Sequence, residues 1–362
     1  MNGIFVCVPV WGENHVNRLL DVAIPCLLAE GNLPTLARIY RVAMVIYTNE
    51  YDAEVLRASS RMKALEAVID VVYETYGHNP AEMVQILHPG FGHGGTVMKI
   101  CHNYGIVRAW KAGFGLCPIV ADEFFSNAWG ETILYCLKTG RRAVMEVGYA
   151  LPNTFLEVLD RHRKGDVISI SPRDASREMI KLINPPSIAE HDDRQWRLLW
   201  GALSGHGFLM RPHHIPVDFI WPTKGPVWCN RSQDNDFAHQ ALDTPNDVLL
   251  ITSSLQSVNG GIEGMGNSAP PKPTSWDAAR AACVNAELQA VWLKHACNDW
   301  HKQWMSTNFW CEDGELGTDE RKYIEDHAAA VVAECFVQYD NLMAGRGRAE
   351  MHAADREIST WW

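Results

Sequence analysis

Long apolar runs, closely spaced cysteines and blocks of like charge are all missing from this sequence. The longest apolar runs, such as residues 43–47 and 248–251, fall far short of the roughly 20 residues that cross a bilayer, so no transmembrane helix is predicted. None of the 10 cysteines stands in a C-x-x-C spacing, and we expect most of them to be reduced and buried. The formal net charge of −11 disfavours broad adhesion to DNA or to anionic membranes.

The start of the chain shows no basic leader, because residues 1–4 pass directly into a strand-like segment. We therefore expect a cytoplasmic protein. With 47% hydrophobic and 21% charged residues, the composition is that of a globular chain and argues against disordered and fibrous classes. A chain of 362 residues predicts a main domain of about 200 to 260 residues with an appended piece.

The first half of the chain alternates apolar strands with helical patterns. Two-sided apolar strands separated by helices predict an α/β fold, with a mainly parallel Rossmann-type sheet flanked by helices. Ligands of such sheets bind beyond the carboxyl ends of the strands, so the loops at residues 11–14 and 48–52 are candidate sites. The predicted strands cover residues 3–10, 41–47, 67–73, 116–121 and 142–147, and the later predicted helices cover residues 96–111, 131–138, 153–160 and 175–183.

Beyond residue 186 the pattern changes to short strands and polar helices. A helix is predicted at residues 191–200, and short strands at residues 208–211, 219–221 and 248–252. The Gly- and Pro-rich segment 260–275 is the clearest linker, and two long helices are predicted at residues 277–304 and 318–343. The predicted organisation is a ligand-binding α/β half at 1–186, an α+β half of the same domain at 187–259, the linker, and a helical extension at 276–362.

Tryptophans are concentrated in that predicted extension. This enrichment indicates packing against the rest of the protein or a homodimer formed through the C-terminal helices, whereas stacking on a sugar or base is a rarer use. They include Trp292, Trp300, Trp304 and Trp310.

A glycine-rich segment at residues 90–95 fits G-x-G-x-x-G, follows an apolar stretch and opens a helix. That context is typical of a dinucleotide-binding loop, which would make the protein an NAD-dependent oxidoreductase. However, the acidic residue after the next strand, Asp122, lies further away than the about 20 residues that this motif has. A glycine loop over another ligand, or a plain turn, is the simpler interpretation.

Acidic residues and histidines at loop positions are candidates for a metal site and for acid–base chemistry. Asp122 and Glu123 follow a predicted strand, and carboxylate oxygens there suit Mg²⁺ or Mn²⁺, although such residues are more often caps or surface groups. His214 lies between two prolines and could be a ligand or a structural histidine. Asp234 and Asp236 are candidate general bases, with a solvated turn as the alternative.

Several separate motifs of the chain are informative together: Val8-Pro9-Val10-Trp11-Gly12, Ile46-Tyr47-Thr48 with Asp52, Cys101-His102, Asp122 with Ser126, Ser171-Pro172-Arg173, and Arg211 with His214. On these motifs the sequence resembles bacterial and phage glycosyltransferase-like proteins of the nucleotide-diphospho-sugar transferase (GT-A) fold. Asn127 departs from the pattern, because it stands where the family has a second acidic residue. The resemblance covers roughly residues 3 to 255.

The resemblance implies a GT-A-like sheet with an α+β second half, and a site for a nucleotide-sugar donor. It implies that Asp122 and His214 bind Mn²⁺ or Mg²⁺, which would stabilise the diphosphate leaving group. Asp234 or Asp236 would deprotonate the hydroxyl of the acceptor. The donor-binding residues implied are Pro9, Trp11, Gly12, Thr48, Asn49, His102 and Glu123.

The sequence therefore predicts a glycosyltransferase that moves a sugar from a nucleotide-diphosphate-sugar to a hydroxyl acceptor. The acceptor classes left open are an envelope glycan, a small molecule and a hydroxymethylated base in phage DNA, and a phage protein would act in the host cytoplasm. Two alternatives remain open. One is the NAD-dependent oxidoreductase, and the other is a degenerate, non-catalytic protein that binds a sugar nucleotide, as Asn127 suggests.

Overall fold

The computed structural model describes residues 1–76, 94–183, 190–192, 197–212, 215–225, 235–263, 300, 306–330, 333 and 337. The chain divides into two compact units, each built from two segments. The first unit comprises Met1–Leu182 and Ile215–Gly266, and the second comprises Ile183–His214 and Asn267–Trp362.

The first unit is a mixed α/β domain built around a mostly parallel sheet. Within the described residues, seven strands form this central sheet in the order β14–β6–β13–β4–β1–β2–β3, and β13 runs antiparallel to its neighbours β4 and β6. The predicted α/β class with a mainly parallel sheet is thereby confirmed. The strands of the unit are β1 (Gly3–Pro9), β2 (Arg41–Asn49), β3 (Asp70–Tyr76), β4 (Gly115–Pro118), β5 (Glu123–Phe125), β6 (Ala143–Glu146), β7 (Tyr149–Pro152), β8 (Arg163–Lys164), β9 (Val167–Ile168), β13 (Val217–Ile220), β14 (Val248–Ile251) and β15 (Asn259–Glu263).

Helices flank this sheet, and a π-helical turn at Leu19–Ala23 joins the first two. A smaller sheet of β5, β15 and β7 lies beside the central one in the same unit. The helices are α1 (Glu13–Arg18), α2 (Ile24–Leu27), α3 (Leu33–Ala37), α4 (Glu50–Ala58), α5 (Ser60–Glu66), α6 (Gly94–Ala112), α7 (Trp129–Lys138), α8 (Phe155–Arg161), α9 (Pro172–Ile183) and α10 (Asn235–Ala241).

The centre of the sheet is buried on both faces, as the continuous apolar runs of β1 and β2 predict. β1 pairs in parallel with β2 on one side and with β4 on the other. Successive strands therefore add on one side of β1, as β2 and then β3, before β4 adds on the opposite side of β1. Such a reversal opens a crevice beyond the carboxyl ends of the two strands, which is where ligands of open α/β sheets bind.

The second unit contains a four-stranded antiparallel sheet in the order β10–β11–β12–β16. Its strands are β10 (Glu190–Asp192), β11 (Arg197–Gly201), β12 (Gly207–Pro212) and β16 (Phe309–Glu312), and residues 318–330 form a helix, α11. Trp310 on β16 donates its indole N–H to Glu325 on that helix at 2.9 Å.

The predicted domain boundaries do not coincide with these units. β12 pairs with β16, so a segment from the predicted helical extension completes a sheet with strands from the predicted 187–259 half. The segment predicted as a helix at residues 191–200 contains β10 and β11 instead, because β11 pairs along its length with β12. Residues 259–263 form β15, so the predicted linker begins with a strand.

The predicted strand at 116–121 and the two predicted C-terminal helices can be compared in part with the described residues. The strand predicted at 116–121 ends at Pro118, and a separate strand begins at Glu123. Of the second predicted C-terminal helix, residues 318–330 form α11, whereas the first, at 277–304, lies outside the described residues except for Trp300. Among the helices that the structure describes, none is long and apolar enough to cross a membrane.

Candidate functional site at the carboxyl edge of the sheet

The ends of β1 and β2 bring most of the predicted donor-binding residues together. Pro9 is the last residue of β1, and the backbone N–H of Val10 donates to the carbonyl of Tyr47 at 2.9 Å. This bond keeps the two chain segments side by side past the end of β1. Trp11 follows immediately and is half-buried, so part of its indole is available to a ligand.

Gly12 turns the chain sharply at this edge. Its φ of 81° lies in the left-handed region that favours glycine, and a Cβ there would meet nothing within 4 Å. Its backbone N–H donates to Oδ2 of Asp52 at 2.7 Å. Gly12 is therefore selected by backbone conformation, and its position is held by a carboxylate 40 residues further along the chain.

Asn49 and Asp52 form an interlocked cap at the start of α4. The side-chain oxygen of Asn49 accepts the backbone N–H of Asp52 at 2.8 Å, and its Nδ2 donates to Oδ2 of Asp52 at 2.6 Å. Asp52 is only 4% exposed. Oδ2 of Asp52 thus bonds both to the loop after β1 and to the end of β2. The negative charge of this carboxylate also lies near the N-terminus of α4, which is the positive end of the helix dipole.

Thr48 contributes a hydroxyl that the described fold does not use. The residue is fully buried at the end of β2, and its Oγ1 has no hydrogen-bond partner among the residues that the structure describes. Nearly all buried polar groups in proteins are hydrogen-bonded, so an unused hydroxyl beside the Trp11 to Gly12 loop is a candidate contact for a ligand.

A second group of polar residues lies further along the sheet, and we call Glu123, Glu146 and Asp218 the carboxyl cluster. Glu123 begins β5, Glu146 ends β6 and Asp218 lies on β13. All three are less than a tenth exposed. Because β13 is antiparallel, its first residues lie at the same edge as the last residues of β6, where Val217 pairs with Met145.

Burial dominates the acidity of the carboxyl cluster. It raises the pKa of Glu123 to about 8, and the charges of Asp122 and Glu146 raise it too, while the N–H of Val120 lowers it through a 3.2 Å hydrogen bond. Burial likewise raises the pKa of Glu146 to about 8. The pKa of Asp218 is raised well above its ordinary value by burial and then by the charges of Glu146 and Glu123.

Of the predicted metal ligands, only Asp122 falls within the described residues. It is half-buried, and its backbone carbonyl accepts the N–H of Ile262 at 2.9 Å. No group of three metal-ligating side chains is placed to hold an ion within the described ranges, so these residues do not fit a metal centre by themselves. The other predicted ligand, His214, lies outside the described residues.

Asn127 and Ser126, which follow Asp122 in the family-like motif, are used by the fold. The Ser126 hydroxyl accepts the N–H of Val258 at 3.1 Å. Asn127 donates through Nδ2 to the hydroxyl of Ser169 at 3.1 Å. The residue that stands in place of a second acid therefore serves a structural hydrogen bond.

His102 lies inside α6 rather than at an open edge. It is 1% exposed, burial lowers its pKa to about 4, and its Nε2 lies 3.4 Å from the carbonyl oxygen of Ile119. A neutral imidazole in this position supports the loop after β4. This is a core role, and the donor-binding role of His102 stays a prediction.

The remaining predicted residues are placed only in part. Asp236 lies in the first turn of α10, and only its backbone is described, while Asp234 lies outside the described residues. Of the glycine loop, residues 90–93 are outside as well, and Gly94 and Gly95 begin α6. An antiparallel β13 between β4 and β6 also departs from the all-parallel sheet of dinucleotide-binding domains.

Sequence reasoning missed Glu146, Asp218 and Asn259. Asn259 donates through Nδ2 to Oδ1 of Asp218 at 2.7 Å and is fully buried. Each of the two acids interrupts an apolar run, at 143–147 and 217–221, and an isolated charge in a buried strand is the signal that could have identified it.

No protein-family model matches the chain, and no curated protein matches it either.

Proposed function

We propose that the first unit binds a nucleotide-diphosphate-sugar and transfers its sugar to a hydroxyl acceptor, as a glycosyltransferase of the GT-A type. The observation that carries this proposal is the convergence of Trp11, Gly12, Thr48 and Asn49 at the ends of β1 and β2, beside the reversal of strand order at β4. The resemblance assigns these same residues to the donor.

Each of these groups suits one part of a nucleoside. The exposed part of Trp11 offers a flat apolar face for a base or a sugar. The Thr48 hydroxyl can donate or accept one hydrogen bond. Asp52 acts as a positioning residue, because its carboxylate fixes the Gly12 backbone and the Asn49 side chain relative to each other.

The negative charges near the proposed site affect how a diphosphate could bind there. A diphosphate is repelled by Asp122 and by any ionised member of the carboxyl cluster, so the donor needs compensating positive charge as the leaving group departs. Mn²⁺ or Mg²⁺ remains the predicted source. Because no three of the described side chains are placed to hold an ion, Mn²⁺ is varied separately in the test.

The test is a melting-temperature panel with nucleoside diphosphates, nucleotide-sugars and NAD(H), each with and without Mn²⁺. A ligand that binds only the folded protein raises its melting temperature. We expect one nucleoside diphosphate and its sugar conjugate to produce a shift. A shift with NAD(H) alone would replace the proposal with the oxidoreductase, and a panel without any shift would contradict it.

The paired variants are Asp52→Ala and Glu54→Ala. Both remove a carboxylate from α4, but Asp52 is buried against the loop after β1, whereas Glu54 is exposed. We expect Asp52→Ala to weaken affinity for the effective nucleotide about tenfold or more and Glu54→Ala to leave it unchanged. Equal effects of the two substitutions on affinity would contradict the assignment of nucleotide binding to this edge of the sheet. Donor hydrolysis and sugar transfer then distinguish an enzyme from a degenerate binding protein.

A further inference from the structure

The outer face of α9 carries exposed side chains of positive charge only. Among the described side chains of this helix three are exposed, and all three are basic: Arg173, Arg177 and Lys181. Residues four apart lie on one face of a helix and each residue adds about 1.5 Å, so the three form a line about 12 Å long. We call these three residues the basic row.

The opposite face of α9 fixes this orientation. Ala175, Met179 and Ile180 are buried, and the buried Ser176 hydroxyl donates to the hydroxyl of Ser254 at 2.7 Å. Turning the helix would expose these apolar side chains and break that hydrogen bond. The basic row therefore stays on the surface of the first unit.

The two acidic residues of α9 are half-buried and accept hydrogen bonds from neighbouring side chains. Asp174 accepts the hydroxyl of Ser171 at 2.6 Å. Glu178 accepts from Arg161 of α8 at 3.2 Å and from Lys181 at 2.8 Å. This shared carboxylate brings Arg161, whose side chain is 58% exposed, beside the basic row as a fourth positive charge.

We propose that the basic row, with Arg161 beside it, binds the phosphate backbone of duplex DNA. Three of these four side chains are arginines, whose planar guanidinium groups can donate two parallel hydrogen bonds to one phosphate. A line of about 12 Å matches the rise of about three to four nucleotides along one strand. Binding to DNA through this surface requires no sugar donor, so it is independent of the proposed function.

The composition of α9 favours duplex DNA over other polyanions. Proteins that bind single strands stack the bases on aromatic side chains, and α9 contains no aromatic residue. Helices that lie on anionic membranes insert apolar side chains, whereas Ala175, Met179 and Ile180 are buried in the protein. Recognition of duplex RNA uses the 2′-hydroxyl groups as well, and a row of cations needs only phosphates.

The charge of the remaining chain confines such binding to this surface. The formal net charge of the protein is −11, so most of its surface repels DNA. Affinity then depends on a few phosphate contacts, and because each contact releases counterions, the affinity falls as salt is added. Neutralising the basic row should therefore remove most of the binding.

The experiment measures, by fluorescence anisotropy, the affinity of the full chain for a labelled duplex of about 20 base pairs at about 50 to 200 mM salt, without any nucleotide-sugar. The test variant carries Arg173→Gln, Arg177→Gln and Lys181→Gln. The control variant removes the same charge from three exposed lysines on α5, α6 and α7, by Lys63→Gln, Lys111→Gln and Lys138→Gln.

We expect the test variant to lose about tenfold or more in affinity at the lowest salt, and the control variant to stay within about twofold of the original protein. Four phosphate contacts predict a slope of log affinity against log salt of about −3.6 for the original protein, and loss of the basic row should make it shallower by about 2.7. Native circular dichroism of both variants shows that they are folded.

Three results would overturn the proposal. The first is no binding of duplex DNA at the lowest salt. The second is an equal loss of affinity in both variants, which would mean that net charge rather than the basic row governs binding. The third is an affinity for single-stranded DNA, duplex RNA or phosphatidylserine vesicles that exceeds the affinity for duplex DNA and is lost in the test variant, because the row would then bind a different partner.

Discussion

Thr48 and Asp52 are close in the chain, yet the fold treats them in opposite ways. Asp52 is buried with its Oδ2 bonded to two donors, whereas Thr48 is buried with a hydroxyl that no described residue bonds. Experiment can distinguish these two roles. Loss of the Asp52 carboxylate should lower the stability of the fold, whereas loss of the Thr48 hydroxyl should lower the affinity for a ligand.

We predict that Thr48→Val separates these two quantities. Removing an unpartnered buried hydroxyl should leave the free energy of unfolding unchanged or raise it by about 1 kcal/mol. If that hydroxyl contacts the nucleoside, affinity for the effective nucleotide should fall about tenfold. Urea unfolding and titration calorimetry measure the two effects. Destabilisation by Thr48→Val would show instead that the hydroxyl has a partner within the folded chain.

At the scale of elements, hydrogen bonds from one buried side chain join the turn after α2 to the start of α7. Asn32 is fully buried, and its Nδ2 donates to the carbonyls of Cys26 and Ser126 at 2.8 and 2.9 Å. Its Oδ1 accepts the N–H of Gly130 at 3.2 Å. A side chain at position 130 would disturb this contact, because its Cβ would lie 2.5 Å from the carbonyl oxygen of Asn32.

We predict that Gly130→Ala destabilises the protein by about 1–3 kcal/mol, although alanine is the better helix former, because the added methyl meets backbone atoms that cannot move away cheaply. Gly261→Ala is the matched control, since a Cβ there would meet nothing within 4 Å. Chemical denaturation of both variants measures the difference. Equal stability of the two variants would show that the turn at Asn32 moves at little cost to accommodate the added methyl group.

Local patterns reveal some elements and not others. β1 and β2 are evident because a strand buried on both faces is a continuous apolar run, and the residues just past their ends are then placed by chain connectivity. β11 was predicted as helix because its identity depends on pairing with β12, which neighbouring residues do not encode. Glu146 and Asp218 were missed for the same reason, since their encounter depends on which strands become neighbours.

At the scale of the whole molecule, the second unit is assembled from distant parts of the chain. β12 is paired on one side with β11 and on the other with β16, and its Phe208, Leu209 and Met210 are fully buried. Removing β16 would leave an apolar strand with an open edge, which is a site for aggregation.

We therefore predict that a chain ending at residue 266 is prone to aggregation, whereas a chain ending at residue 337, which keeps β16 and α11, is not. Light scattering after size-exclusion chromatography compares the two. A monodisperse product from the shorter chain would contradict this prediction and would favour the sequence-based interpretation of residues 276–362 as a separate helical extension.

The pairing of β12 with β16 also places a demand on protein synthesis. A ribosome adds about 5–20 residues per second, so β12 leaves it roughly 5 to 20 seconds before its partner, which is about 100 residues further along the chain. During this interval the strand has no native neighbour on that side, and the nascent chain is a candidate for chaperone binding. A slower codon usage between the two segments would prolong this exposure, although the finished protein would be identical.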